Sequence, residues 1–463
     1  MKNVALHNLG CKTNAYEMDI MQQMLEERGY HIVPFDQIAD IYIINTCTVT
    51  NIADRKSRQM LHRAKAKNPD AVVVAVGCYV QTDQEGIKKD DAIDLAIGNN
   101  RKKDLVELLE ACLAQRETQG GRSAGCDKTL QGTSILDIAH AAEYEEMTLE
   151  HTAEHTRAYI KIQDGCNQFC SYCIIPYARG RVRSRKQEDI LREIEGLVQN
   201  GYREIVLTGI HISSYGIDLE NRAEHYQGQD YLIRLVEKIQ EIPGLERIRL
   251  GSLEPRIITG ETAARLAALS KVCPHFHLSL QSGCDETLKR MNRHYSVSEY
   301  CECVEHLRNV YPHPAITTDV IVGFPGETEE EFAKTREYLE QLRLYEMHIF
   351  KYSMRRGTRA AAMKDQVPDQ VKAARSDLLL ELESRLSREF RAYYVGKEVE
   401  VLYEESKEIA GKTYYVGHTR EYVKVARQTR EDMTGKLCKE KIINFLTEDI
   451  LLACPVEFFS EIR

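Results

Sequence analysis

RAYIKIQDGCNQFCSYCIIP, residues 157–176, joins a short apolar run to a loop that carries three cysteines. RAYIKIQ has the look of a buried strand, and Asp164-Gly165 punctuates its end. Five more such runs follow before Ser353: REIVLTGI, RIRLGS, HFHLSLQS, AITTDVIVGF and EMHIFKYS, each followed by a helix-compatible segment. Six β-α units in succession predict a parallel barrel whose functional edge lies at the carboxyl ends of the strands. Six is fewer than the eight of a closed barrel, so a partial (β/α)6 barrel is expected.

Cys166, Cys170 and Cys173 sit directly after the first of these strands. Three thiolates so close together can wrap one 4Fe–4S cluster. The absence of a fourth leaves one iron open to the amino and carboxylate groups of S-adenosylmethionine (SAM), whose sulfonium an electron can then cleave. Zinc is the competing occupant, but it favours four closed ligands in paired arrangements, and no second pair is near.

Working outward to the N-terminus, NVALHNLG, ADIYIINT and AVVVAVG read as buried parallel strands. Met18, Met21, Met24 and Leu25 share a helical face ended by Gly29, and a second helix is predicted from about Ile52 to Lys67. The alternation predicts an open parallel sheet over residues 1–113. Cys11, Cys47 and Cys78 each follow one strand, 36 and 31 residues apart. Loops at the carboxyl ends of an open sheet share an edge, so these thiols converge and imply a second cluster. Three buried structural cysteines remain the alternative. The other eight cysteines show no ligand spacing.

Residues 114–150, with Gly120, Gly121 and Gly125, read as an interdomain connection, and 151–382 as the barrel domain. A helix over 369–394 leads into period-two runs (EVEVLYEE, TYYVGHT, YVKVA, KIINFL) that predict a small all-β barrel over 383–455. The longest apolar stretch, Ala71 to Val80, is far short of the roughly 20 residues of a membrane span. No secretory signal is evident, so a cytoplasmic location is expected. In that compartment, clustered cysteines bind metal more often than they form disulfides. A net charge of −9 argues against an overall basic surface, yet a local patch suffices to hold phosphates. Arg179, Arg181, Arg183, Arg185 and Lys186 form one candidate patch, and Arg55, Lys56, Arg58, Arg63, Lys65 and Lys67 a second. Residues 411–441 carry eight Lys/Arg and four Asp/Glu, with Lys424 and Arg427 singled out as RNA contacts. Solvated loops or a merely structural barrel would explain the same charges. Among strand ends, Gly209, Glu254, Gln281, Gly323 and Glu327 are candidates to surround SAM, against the reading that they are ordinary loop punctuation.

CxxxCxxC after the first barrel strand resembles the radical SAM superfamily, and IQDGCNQFCSYCIIPYARGRVRSR is similar to its methylthiotransferase branch. GCKTNAYE, NTCTVTNIADRKSRQ and GCYVQ resemble the N-terminal domain of that branch, in which three cysteines hold an auxiliary 4Fe–4S cluster. The C-terminal segment resembles a TRAM domain, an RNA-binding module. LGCKTNAYE, NTCTVTNIADRKSRQ and CPHFHLSLQSG look most like the group that acts on N6-threonylcarbamoyladenosine in tRNA. The resemblance implies two 4Fe–4S clusters, SAM, a tRNA substrate, an electron donor and a sulfur source. The siblings that modify isopentenyladenosine or a ribosomal-protein aspartate, and a non-catalytic iron–sulfur RNA-binding regulator, are the alternatives.

Overall fold

The computed structural model describes residues 2–118, 128–130, 132, 134–151, 156–219 and 230–456. The first domain is a five-stranded parallel sheet made of β1 (Asn3–Asn8), β2 (His31–Val33), β3 (Ile41–Thr46), β4 (Val72–Gly77) and β5 (Leu95–Ile97), in the order β2-β1-β3-β4-β5. Every residue of β3 and β4 is buried, as a sheet covered on both faces requires. Three helices of this domain matter below: α1 (Lys12–Glu27), α2 (Asn51–Lys67) and α3 (Leu105–Thr118). Thr50 caps α2 by accepting from the Ala53 amide.

The segment expected to connect the domains, 114–150, packs against both of them. α3 continues to Thr118, and Ile138, Met147 and Leu149 are buried. Tyr16 of α1 donates to the Met147 carbonyl at 2.8 Å, and the Leu149 amide donates to Glu193 of the second domain at 3.2 Å. Gly120, Gly121 and Gly125 lie outside the described residues.

The second domain contains β6 (Arg157–Asp164), the short β7 (Arg183–Ser184), β8 (Glu204–Gly209), β9 (Arg247–Leu250), β10 (His275–His277), β11 (Ala315–Val322) and β12 (Glu346–Lys351). All six expected barrel strands are present; β7 adds a two-residue antiparallel edge to β6. Between β9 and β10 the ladder thins to the isolated bridges Ile248↔Val272 and Leu253↔Leu278. Among the described residues β12 pairs only with β11, so the barrel is open. Helices α4 (Gln187–Gln199), α5 (Asp230–Gln240), α6 (Gly260–Ala268), α7 (Val297–Val310) and α8 (Glu329–Leu342) cover its outside. Ile205, Ile248, Phe276, Val320 and Met347 share one apolar core with Ile194, Leu235, Leu266, Leu307 and Leu339 of those helices.

α9 (Asp369–Ala392) runs unbroken through the expected boundary at 382 into a closed barrel. That barrel comprises β13 (Glu398–Ile409), β14 (Lys412–His418), β15 (Lys424–Arg427), β16 (Leu437–Phe445) and β17 (Leu451–Pro455), the last missed in the sequence pattern. It closes the floor of the central barrel, at the amino ends of the strands. Arg247, the first residue of β9, donates to the carbonyls of Glu400 and His418 at 2.9 and 3.1 Å. Tyr422 stacks near His275 at 4.9 Å between ring centroids and lies under the guanidinium groups of Arg157 and Arg249.

Candidate active site

The cysteine loop after β6 is held at the opposite, carboxyl end. Gly165 has φ +73°, and a Cβ there would stand 1.8 Å from the Arg181 carbonyl oxygen, so only glycine lets the loop lie against residues 180–181. The Cys166 amide donates to the Gly180 carbonyl at 3.0 Å, and the Ser171 amide to that of Met291 at 2.9 Å. Asn292 reaches the carbonyls of Gln168 and Phe169. Arg293 donates to Cys170 Sγ at 3.4 Å. Met291, Asn292 and Arg293 lie more than a hundred positions from the loop they anchor, and sequence reading missed them.

Cys11, Cys47 and Cys78 follow β1, β3 and β4 at the carboxyl edge of the N-terminal sheet. Gly10, at φ +120°, brings the Cys11 loop so close that a Cβ on it would stand 3.3 Å from Cys47 Sγ. Cys11 Sγ and Asn14 Oδ1 are 3.9 Å apart. Cys78 Sγ accepts from Asn99 Nδ2 at 3.5 Å and from Arg179 Nε at 3.2 Å.

Arg179 was expected to touch RNA; instead it is wholly buried between the two domains. Besides Cys78 it reaches Glu17 at 2.6 Å, Asn14 Oδ1 at 2.6 Å and Asp164 at 3.2 Å. Arg183 is corrected in the same way: it is 1% exposed and donates to the carbonyls of Arg179 and Arg181. Arg185 is buried against Glu146 and Glu193. Glu17 also binds Lys102 and Lys161. Burial opposes its ionisation, but Arg179, Lys102 and Lys161 hold its carboxyl well below the usual range. The network contains four cations (Lys102, Lys161, Arg179, Arg183) and three carboxylates (Glu17, Glu145, Asp164).

The donor sets fit clusters rather than single ions. Among the described residues, no three cysteines have sulfurs all within 4.8 Å of one another, whereas zinc–sulfur bonds of about 2.3 Å would bring them that close. Burial pushes the Cys47 and Cys166 thiols up to about 11 and Cys173 up to about 12. They lose their protons when a metal takes the proton's place.

Of the five residues expected around SAM, three stay at the open face. Gly209 ends β8, where a Cβ would stand 2.8 Å from the Gln163 carbonyl oxygen. Gln281 has φ +70°, a strained backbone for a side chain. Glu254 accepts from Gln168 of the cysteine loop at 3.1 Å. Burial opposes its charge, but His211 and Arg256 hold its carboxyl down to about 2. Gly323 and Glu327 are corrected: the Gly323 amide donates to Glu327 Oε2 at 2.6 Å, and Arg375 pairs with the same carboxylate at 2.7 Å. That loop is held by its own hydrogen bonds.

A groove of about 770 Å³ lies between the first two domains, lined by Asn51, Asp54, Gln81, Ile174, Tyr177 and Arg355, among others. Arg355 clamps its two walls together through Asp54 at 2.6 Å and Thr48 at 2.7 Å. Ile52, Tyr177 and Met354 are exposed around it, as are Arg55, Lys56, Arg181, Arg356 and Arg359. Arg181 thus remains a candidate RNA contact. Arg427 is not free, because it pairs at 3.0 Å with the fully buried Glu440; Lys424 keeps partial exposure, 3.6 Å from Asp449.

An open barrel of six parallel strands with a three-cysteine loop after the first defines a radical SAM enzyme. Residues 160–339 match the family model described as Radical SAM superfamily, and residues 3–98 match Uncharacterized protein family UPF0004. The fold is similar to that of the radical S-adenosylmethionine methyltransferase TsrM from Kitasatospora setae, with TM-score 0.54 and 17% identity over 75% of this chain and 74% of that one. Sequence relatives are more specific. A threonylcarbamoyladenosine tRNA methylthiotransferase MtaB from Bacillus subtilis is 40% identical over 96% of this chain and 94% of its own. A tRNA-2-methylthio-N(6)-dimethylallyladenosine synthase from Carboxydothermus hydrogenoformans is 36% identical over 94% of this chain and 94% of its own. The chain belongs to the tRNA methylthiotransferase family. SAM and 4Fe–4S chemistry follow from that membership, and two cysteine triads provide for two clusters.

Proposed function

We propose that this chain transfers a methylthio group to carbon 2 of N6-threonylcarbamoyladenosine beside the tRNA anticodon, using two SAM molecules and two 4Fe–4S clusters. The observation that supports the reading is the presence of two three-cysteine sets, each at the carboxyl ends of parallel strands, in a member of this family. Cys166, Cys170 and Cys173 hold the radical-forming cluster, and Cys11, Cys47 and Cys78 the sulfur-delivering one. When bound, the clusters and SAM supply the electron, the radical and the sulfur that side chains lack. No general base at neutral pH could usefully deprotonate an aromatic C–H bond, which is why such chemistry is needed. Ionised Glu254 orients the SAM amino group, and Arg293 stabilises negative charge on Cys170. The exposed ring of Tyr177 gives a displaced base a surface to stack on. The reading requires a one-electron reductant and a source of sulfide.

The direct test is anaerobic turnover of tRNA bearing threonylcarbamoyladenosine, with the digested nucleosides read by mass spectrometry. The methylthio nucleoside is expected; SAM consumption with unchanged tRNA would contradict the reading. Glu254→Gln is expected to weaken SAM binding about tenfold, the worth of one charge-assisted hydrogen bond, in equilibrium binding at unchanged iron content. Arg55→Glu with Arg356→Glu should weaken tRNA binding and lower its salt slope by about one unit per lost phosphate contact. Salt titrations that coincide with wild type would remove the groove rim from the RNA interface.

A further inference from the structure

Inside the open barrel, between its floor and the cysteine loop, lies a polar cluster without a role so far. Ile316, Val320 and Val322 of β11, Met347 of β12 and Phe276 of β10 belong to the core beneath the helices. Side chains alternate along a strand, so His277, Thr317, Asp319 and His348 face the lumen. Asp319 and His348 are direct cross-strand partners, as are His277 and Thr317. One ligand atom from each of His277, Asp319 and His348 lies within 4.8 Å of the other two. Thr317 Oγ1 holds His277 Nδ1 at 2.9 Å. That fixes the ring with Nε2 aimed at Asp319 Oδ2, 3.4 Å away, and Nε2 is buried with no hydrogen-bond partner. The two imidazole rings lie stacked, with centroids 5.8 Å apart, and His348 is exposed to the lumen.

We propose that His277, Asp319 and His348 form the subsite that recognises the polar N6 substituent of the substrate nucleoside. The inference rests on the function proposed above. A threonylcarbamoyl group presents a urea, a hydroxyl and a carboxylate, whereas a dimethylallyl group is pure hydrocarbon. Asp319 accepts from the urea N–H or the hydroxyl, and the two imidazoles donate to the carboxylate. A hydrocarbon in the same place would strip water from three polar groups and pair none of them, and such a mismatch is strongly rejected. The lumen therefore favours the polar substrate on its own chemistry.

The test compares reconstituted holoenzyme on two tRNAs, one bearing threonylcarbamoyladenosine and one bearing dimethylallyladenosine. His348→Leu and Asp319→Asn are expected to lower kcat/KM on the first by about a hundredfold, mostly through KM, and to narrow the ratio between the two tRNAs. His348→Gln, which keeps a donor, should recover part of the loss. Iron content serves as the folding check, and the exposure of His348 makes its replacement well tolerated. Unchanged kcat/KM and an unchanged ratio in both variants would overturn the subsite alone. One equivalent of a non-iron divalent metal, lost in both variants, would also overturn it, in favour of a metal site. Wild type that modifies only the dimethylallyl tRNA would overturn both the subsite and the proposed function.

Discussion

Arg179→Met is expected to cost about 3–5 kcal/mol of stability, the usual effect of removing one partner from a buried ion pair. The guanidinium joins Glu17 and Asn14 of α1 to Asp164 of β6 and to Cys78. Its loss unties the seam between the first two domains and removes an N–H donor from a cysteine of the N-terminal triad. Denaturant unfolding followed in the N-terminal domain should show the loss. Arg181→Met, two positions away and exposed, should stay within about 0.5 kcal/mol of wild type. Equal effects of the two substitutions would mean that the buried network contributes little. Arg179→Lys keeps the charge but cannot reach four partners, so it should recover only part of the loss.

Changing Cys166, Cys170 and Cys173 together to alanine is expected to abolish SAM cleavage. A 4Fe–4S cluster is held by cysteine thiolates, and among the described residues no other cysteine triad lies on this loop. Iron should fall from about eight to about four per chain, because the second triad is a separate site. Cleavage product at the wild-type rate in this variant would place radical formation elsewhere.

Much of this was legible in the sequence, for physical reasons. β3 and β4 are buried on both sides, so their apolar runs are continuous, and the barrel strands each keep a short apolar run. β2 and β5, three residues each, are too short to show a period. β17 reads LLACP, a run without the alternation that marked its neighbours. The cysteine triads were readable because their positions relative to strands are regular. The Arg179–Lys186 run was not, since charge in a sequence carries no information on burial. Arg179, Arg183 and Arg185 meet acids at 17, 146, 164 and 193, partners that only the fold brings near. One signal existed: Glu17 lies between Tyr16 and Met18 on α1, and all three are buried. A buried acid demands a buried cation. Gly323 and Glu327 looked like a ligand loop for a similar reason, because a self-capped turn and an open one share the same residues.

The claim that two cysteine triads do separate work is tested most directly by changing Cys11, Cys47 and Cys78 together to alanine. The variant, reconstituted anaerobically and supplied with tRNA bearing threonylcarbamoyladenosine, is assayed at once for 5′-deoxyadenosine and for the methylthio nucleoside. Continued SAM cleavage, about four irons per chain and no methylthio nucleoside are expected. Methylthio nucleoside formed at the wild-type level by that variant would contradict the account.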